Sequence, residues 1–284
     1  MDDGDLSAFL ANRVFLKMIS YDMNKLLFKR IFGTLYPPQF DHRKIILIYH
    51  AVGDSPWALK SEKFLAQMQW LKNNTDVVSL AHLLFESSSQ NRIQVAITFD
   101  DGYACLRDIV SPIFSELKIC TTVYINTGMM SDDMHSRKNS DAALGHYPDE
   151  QFLSWEDVKI LDQVGWMIGS HGVNHIDLTA QPESVIIGEL SQSKKHVEEK
   201  LQKPCEHFAY TWAKYSPIVQ QHVKKVGYRT AVAGHHMPLH GNSDFFALPR
   251  LNIQSDYSQK DFEGIVTGKW DFMTVVQRVK KILK

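Results

Sequence analysis

The sequence predicts an α/β fold built on a parallel sheet, open or closed into a barrel, and three observations carry that reading. Continuous apolar runs of strand length recur along the chain. Segments with helical apolar spacing alternate with them. Titratable residues gather directly after the apolar runs, at the strand ends where parallel α/β folds place their chemistry.

Taken in order, Lys44 to Tyr49 (KIILIY) is apolar without alternation, as expected of a strand covered on both faces. Gln94 to Phe99 (QVAITF) and Thr121 to Ile125 (TTVYI) read alike, and Trp166 to Ile168 opens another strand. Phe208 to Tyr210 and Thr230 to Ala233 are shorter candidates. Leu106, Ile109, Val110, Ile113 and Leu117 share one helical face, with a kink expected at Pro112. Ser154 with Asp157 three residues on makes a capping-box start; Val158, Leu161 and Val164 form the stripe and Gly165 the stop. Ile186, Leu190, Val197 and Leu201 define a third helix. Ser216-Pro217 begins a fourth, which carries Val219, Val223 and Val226 and ends at Gly227. Residues 87–91 read as a polar loop, and residues 131–150 as one long polar insertion.

Composition narrows the function classes. A chain of 284 residues with a formal net charge of −1 has no global electrostatic footprint for nucleic acid. Cys105, Cys120 and Cys205 are odd in number and far apart, which implies neither a disulfide framework nor a cysteine zinc site and suits a reducing compartment. The acidic opening MDDGDLSAFL lacks the apolar core of a secretory signal, and nowhere does an apolar run reach membrane-spanning length. The expected location is therefore cytoplasmic.

Chemistry concentrates at the strand ends. The first strand runs into His50, the second into Asp100-Asp101-Gly102, and the Trp166 strand into His171-Gly172-Val173-Asn174-His175. Two adjacent aspartates after an apolar strand are costly to hold together without a cation or hydrogen bonds. Extended backbone would point them to opposite sides, giving them different tasks; an ordinary Asp-Gly turn is the plainer alternative. Two histidines four apart, joined by a carboxylate, form a common catalytic zinc set, whereas a lone His pair is more often structural. His235, His236 and His240 are expected in a polar loop, and Trp57, Trp155 and Tyr103 are as readily packing as sugar platforms.

Ile97-Thr98-Phe99-Asp100-Asp101-Gly102 followed by Ser170-His171-Gly172-Val173-Asn174-His175 resembles the NodB-type polysaccharide deacetylases, carbohydrate esterase family 4 and its relatives. The likeness runs from about Ile45 to Ile253 and takes in Tyr49-His50, Phe208-Ala209-Tyr210 and Leu248-Pro249-Arg250. It implies a distorted (β/α) barrel of about seven parallel strands. It also implies that Asp101, His171 and His175 hold a divalent metal, Zn2+ or another such as Co2+, Ni2+ or Fe2+. Asp100 would then be the general base toward the attacking water, and His50 the general acid for the leaving amine. The chain departs from the family pattern at Gly172, where a hydroxyl residue usually braces the loop. It departs again at Tyr210-Thr211-Trp212-Ala213, where a Pro-Tyr-Gly turn is usual. Trp212 would supply the oxyanion N–H there, and Arg250 is the candidate to orient the base. The implied substrate is an N-acylated amino sugar, free, nucleotide-linked or lipid-linked, in surface-polysaccharide assembly. A deformylase or O-acetyl esterase with the same centre, or an inactive glycan-binding member, is the alternative.

Residues 1–40 lie outside the likeness, which makes residues 41–284 the catalytic domain. Residues 11–36 mix Val14, Phe15, Leu16, Met18, Ile19, Leu26, Leu27, Phe28, Ile31 and Phe32 with Arg13, Lys17, Lys25, Lys29 and Arg30 against Asp22 alone. Such a basic amphipathic helix packs on the barrel, forms an oligomer contact, or lies peripherally on a membrane, here its inner face.

Overall fold

The computed structural model describes residues 25–86 and 91–276. Residues 1–24 of the N-terminal extension and Ser87 to Gln90 of the polar loop lie outside them. The apolar runs form β1 (Lys44–Tyr49), β3 (Gln94–Phe99) and β4 (Thr122–Ile125), almost wholly buried because both faces are covered. β2 (Asp76–Val77), β5 (Met167–Ser170), β6 (His207–Ala209), β7 (Thr230–Val232) and β8 (Leu251–Asn252) complete the sheet. All strands are parallel, in the order β7-β6-β5-β4-β3-β1-β8, with β2 paired beside the start of β3. Val232 of β7 bridges Leu248, just ahead of β8, through amide bonds of 2.8 and 2.9 Å. That contact bends the seven-strand path into a distorted barrel.

Around the sheet lie α1 (Lys25–Gly33), α2 (Ser61–Asn74), α3 (Leu80–Phe85), α4 (Ser111–Leu117), α5 (Trp155–Gln163), α6 (Glu183–Leu201), α7 (Pro217–Val226) and α8 (Gln259–Val266). The helix expected from Leu106 to Leu117 comes in two pieces. A π-helical turn, Leu106–Val110, lets the Ser111 N–H reach the Leu106 carbonyl, and Pro112 then sits in the first turn of α4, where its missing N–H costs nothing. The break is therefore a widened turn before the proline. Val164 is 55% exposed, because it follows the last turn of α5 rather than continuing its stripe. The capping box of Ser154 and Asp157 is formed.

Strand alternation divides the core. Ile46, Ala96, Tyr124, Ala209, Val232 and Leu248 cluster inside the barrel, plugged at its N-terminal end by Leu80 and Leu83 of α3. Ile45, Leu47, Val95, Ile97, Val123 and Ile125 belong to the larger cluster shared with the helices. Gly169 has no side chain because Tyr124 fills the interior: a Cβ there would stand 2.5 Å from its ring. Following the same alternation upward, Ile48 and Thr98 precede His50 and Asp100, so the inward row of each strand ends in a titratable residue.

α1 packs on the C-terminal part of the chain. Phe28 and Phe32 meet Phe272 at ring distances of 6.1 and 5.9 Å, Arg30 forks onto Asp261, and Lys29 donates to the Tyr257 hydroxyl at 2.7 Å.

Candidate metal and catalytic centre

Asp100 continues the inward row of β3, and its N–H bonds the Tyr49 carbonyl. Asp101 and Gly102 then take left-handed backbone, φ +68° and +78°. A Cβ on Gly102 would press on Ile125 at 2.9 Å. The turn swings Asp101 back, so both carboxylates line one cavity instead of pointing to opposite sides as extended backbone would dictate. Their partners differ. Arg250, itself buried, donates to both oxygens of Asp100 at 2.7 Å, and its remaining donors reach Ala233 O at 3.0 Å and Thr98 Oγ1 at 3.3 Å. Burial alone would raise the Asp100 pKa; the Arg250 charge, the nearby His171 and the Arg250 hydrogen bonds outweigh it and hold it down at about 2.

Asp101 faces the histidines. Its Oδ1 lies 3.6 Å from His171 Nε2 and 3.4 Å from His175 Nε2, and the donor atoms of all three lie within 4.8 Å of one another. His171 Nδ1 meets Ala209 O at 2.8 Å and His175 Nδ1 meets Leu144 O at 2.8 Å. Each carbonyl can only accept, so it fixes the proton on Nδ1 and leaves the Nε2 lone pair toward Asp101. Burial lowers the His171 pKa to about 4, which keeps the ring neutral near pH 7. Two neutral imidazoles and a carboxylate turned on one point are a donor set for a divalent cation, not an ion pair. The Trp212 Nε1 contact with His175 Nδ1, at 3.3 Å, is packing, because that nitrogen has already given its lone pair to the N–H.

The loop between the histidines is braced where Gly172 leaves it without a hydroxyl. Gly172 adopts φ +87°, and the Glu189 carboxylate from α6 accepts from Val173 N at 2.8 Å, Asn174 N at 3.0 Å and Asn174 Nδ2 at 2.6 Å. Nothing in the local sequence marked Glu189, which lies outside the loop it holds.

His50 lines the same cavity, stacked on Tyr147 at 5.3 Å; among the described residues its buried Nδ1 has no partner. Trp212 and Ala213 take left-handed backbone, φ +55° and +57°, a strained pair at the rim, with the Trp212 ring half exposed. Gly234 makes room for this turn, since a Cβ there would stand 2.4 Å from that of Ala213.

The insertion at 131–150 forms a wall of the centre. It folds as short turns at Met134–Ser136 and Ala142–Leu144, supplies the Leu144 carbonyl, and brings Gly145 and Tyr147 to the cavity. His146 packs on His175 with ring centres 4.5 Å apart. Tyr147 is held by its N–H bond to the Tyr103 hydroxyl at 2.7 Å, and Trp57 packs edge-on against it. Trp155 is core, and His235 is turned to the Tyr215 hydroxyl. The cavity, about 270 Å³, is lined by apolar Ile48 and Trp212 around this polar centre.

Over residues 87–231, just over half of the chain, the sequence matches the family described as Polysaccharide deacetylase. YxkH of Bacillus subtilis (strain 168) is 23% identical over 78% of this chain and 75% of its own. A poly-beta-1,6-N-acetyl-D-glucosamine N-deacetylase of Staphylococcus aureus is 22% identical over 76% of this chain and 72% of its own. The fold resembles the Streptococcus pyogenes deacetylase PplD, solved in complex with acetate, with a TM-score of 0.65 at 20% identity, covering 78% of this chain and 96% of that one.

Proposed function

The chain belongs to the polysaccharide deacetylase family, and on that premise we propose that it hydrolyses the N-acetyl group of an amino sugar. One observation carries the reading: Asp101, His171 and His175 turn their donor atoms on one point beside Asp100, a carboxylate clamped in ionised form by Arg250. The three-residue set fits a divalent cation, zinc above all, by donor type and fixed tautomer. A cation held there polarises the acyl carbonyl and acidifies a water.

The chain's own groups supply the rest. Asp100 takes the proton of the attacking water, and the Arg250 fork keeps both its charge and its orientation. His50, stacked on Tyr147 in the same cavity, gives a proton to the leaving amine. Trp212 and Ala213 place their strained turn over the acyl group, where the Trp212 N–H faces the developing oxyanion. The cavity of about 270 Å³ is close to the small end of ligand pockets and takes one acylated sugar at a time. The related PplD structure holding acetate supports acetyl as the group removed. A cytoplasmic sugar nucleotide or lipid-linked sugar of surface-polysaccharide assembly is the substrate class in this reading.

The test is a panel of N-acetyl and N-formyl amino sugars, free, nucleotide-linked and lipid-linked, scored for acetate and formate. Acetate release that stops on chelation and returns with a divalent ion is expected. Formate release alone would reassign the acyl group; neither product would leave a binding protein.

A further inference from the structure

α1 carries apolar residues on two faces, and the barrel covers one. Phe28 and Phe32 are turned to Phe272, while Leu27 and Ile31 stand 47% and 49% exposed on the opposite side. Leu35 and Phe40, just past the helix, are exposed as well, while Tyr36 stacks on Phe272 at 5.5 Å. Leu27, Ile31, Leu35 and Phe40 thus put four exposed large apolar side chains within residues 27–40, where exposed apolar residues are normally scattered singly. Lys29, on the inner side of the helix, lines a cavity of about 170 Å³ that shares Gly234, Arg250 and Asn252 with the catalytic cavity. The inner side of α1 thus borders the cavity next to the catalytic one, and the exposed side chains stand on its other side.

We propose that this outer face of α1 docks on an anionic lipid surface. The size of the face argues for lipid over a second copy of the chain. Nine helical residues span about 14 Å, and one face of that length offers far less than the roughly 800 Å² per partner of a stable protein interface. Shallow insertion of a few apolar side chains needs no such area. The preceding sequence has matching charge: residues 11–25 hold Arg13, Lys17 and Lys25 against Asp22, with Val14, Phe15, Leu16, Met18 and Ile19 among them. Basic residues interleaved with apolar ones favour anionic headgroups.

The inference needs only the fold, not the deacetylase reading, and its test reads lipid binding. The full chain is sedimented at low salt with vesicles of phosphatidylcholine, with and without phosphatidylglycerol. It should pellet with the anionic vesicles. The triple variant Leu27→Glu, Ile31→Glu, Leu35→Glu should bind them roughly tenfold more weakly or worse, with an unchanged Tm because these side chains are exposed. A wild-type chain left in the supernatant with both vesicles would overturn the proposal, as would a variant that pellets equally. So would sedimentation velocity showing a dimer that the triple substitution splits.

Discussion

Arg250 and Asp100, 150 residues apart in the chain, meet inside the barrel through two parallel hydrogen bonds of 2.7 Å. The pair joins the end of β3 to the segment that closes the barrel, so one contact serves both the fold and the site. A buried carboxylate without this fork would be driven toward its neutral form and could not accept a proton.

Arg250→Ala should therefore cost stability and raise the Asp100 pKa together. Leaving one member of a buried pair unpartnered typically costs about 3–5 kcal/mol. Arg250→Lys keeps a charge but loses the planar fork, so its loss should be smaller and its acid limb should still move up. Urea unfolding and the pH–rate profile read the two effects. An acid limb unmoved in both variants would show that Arg250 does not set the state of the base.

Asp100→Asn should retain a divalent ion and lose most hydrolysis, since removing a general base costs roughly 10²–10⁴-fold. Asp101→Asn should instead lose the ion itself. His50→Ala should slow amide substrates more than activated esters, whose leaving group needs little protonation. Equal slowing of both would make His50 a structural residue stacked on Tyr147.

The parts of this molecule that the sequence made legible are those whose physics is local. β1, β3 and β4 are buried on both faces and so appear as unbroken apolar runs, and Asp100, Asp101, His171 and His175 follow directly from strand ends. Two missed helices were also written plainly: Phe64, Met68 and Leu71 share a face of α2, and Ser258 with Asp261 repeats the capping box of Ser154 with Asp157 at α8. Other features had no local signature. The Leu144 carbonyl is main chain, and any residue there would offer it. The direction of Asp101 depends on its positive φ, which the packing of Gly102 against Ile125 enforces. Glu189 acts on a loop fifteen residues away.

That brace gives a third expectation. Glu189→Gln replaces one accepting oxygen with an amide that cannot accept, so one or two of the Val173 and Asn174 bonds must break. The loop carrying His171 and His175 should loosen, and divalent-ion affinity should fall roughly 10–100-fold, as for other groups that orient metal ligands. Calorimetric titration of the chelator-treated protein measures it. Undiminished affinity would mean that Ser170, which accepts from Gly172 N, holds the loop alone.

The buried histidines set the response of the ion-free protein to acid. Burial is the main cause that lowers His171, His207 and His236 from the ordinary 6.5 to about 4 each. On unfolding each returns to its ordinary value, so below pH 6.5 the unfolded chain takes up protons that the folded chain refuses. Their contribution to stability is thus fully present above pH 6.5 and is lost as pH falls toward about 4. Asp100 has the same sign in a lower window, from 3.8 down to about 2. The Tm of the chelator-treated protein should accordingly be level at neutral pH and fall between pH 6.5 and 4. An added divalent ion should raise Tm at neutral pH and lose that effect over the same interval, because its ligands must be deprotonated. His171→Gln should lessen both the fall and the ion's effect. A Tm that stays level or climbs through this interval would show that these rings are already solvated in the folded state.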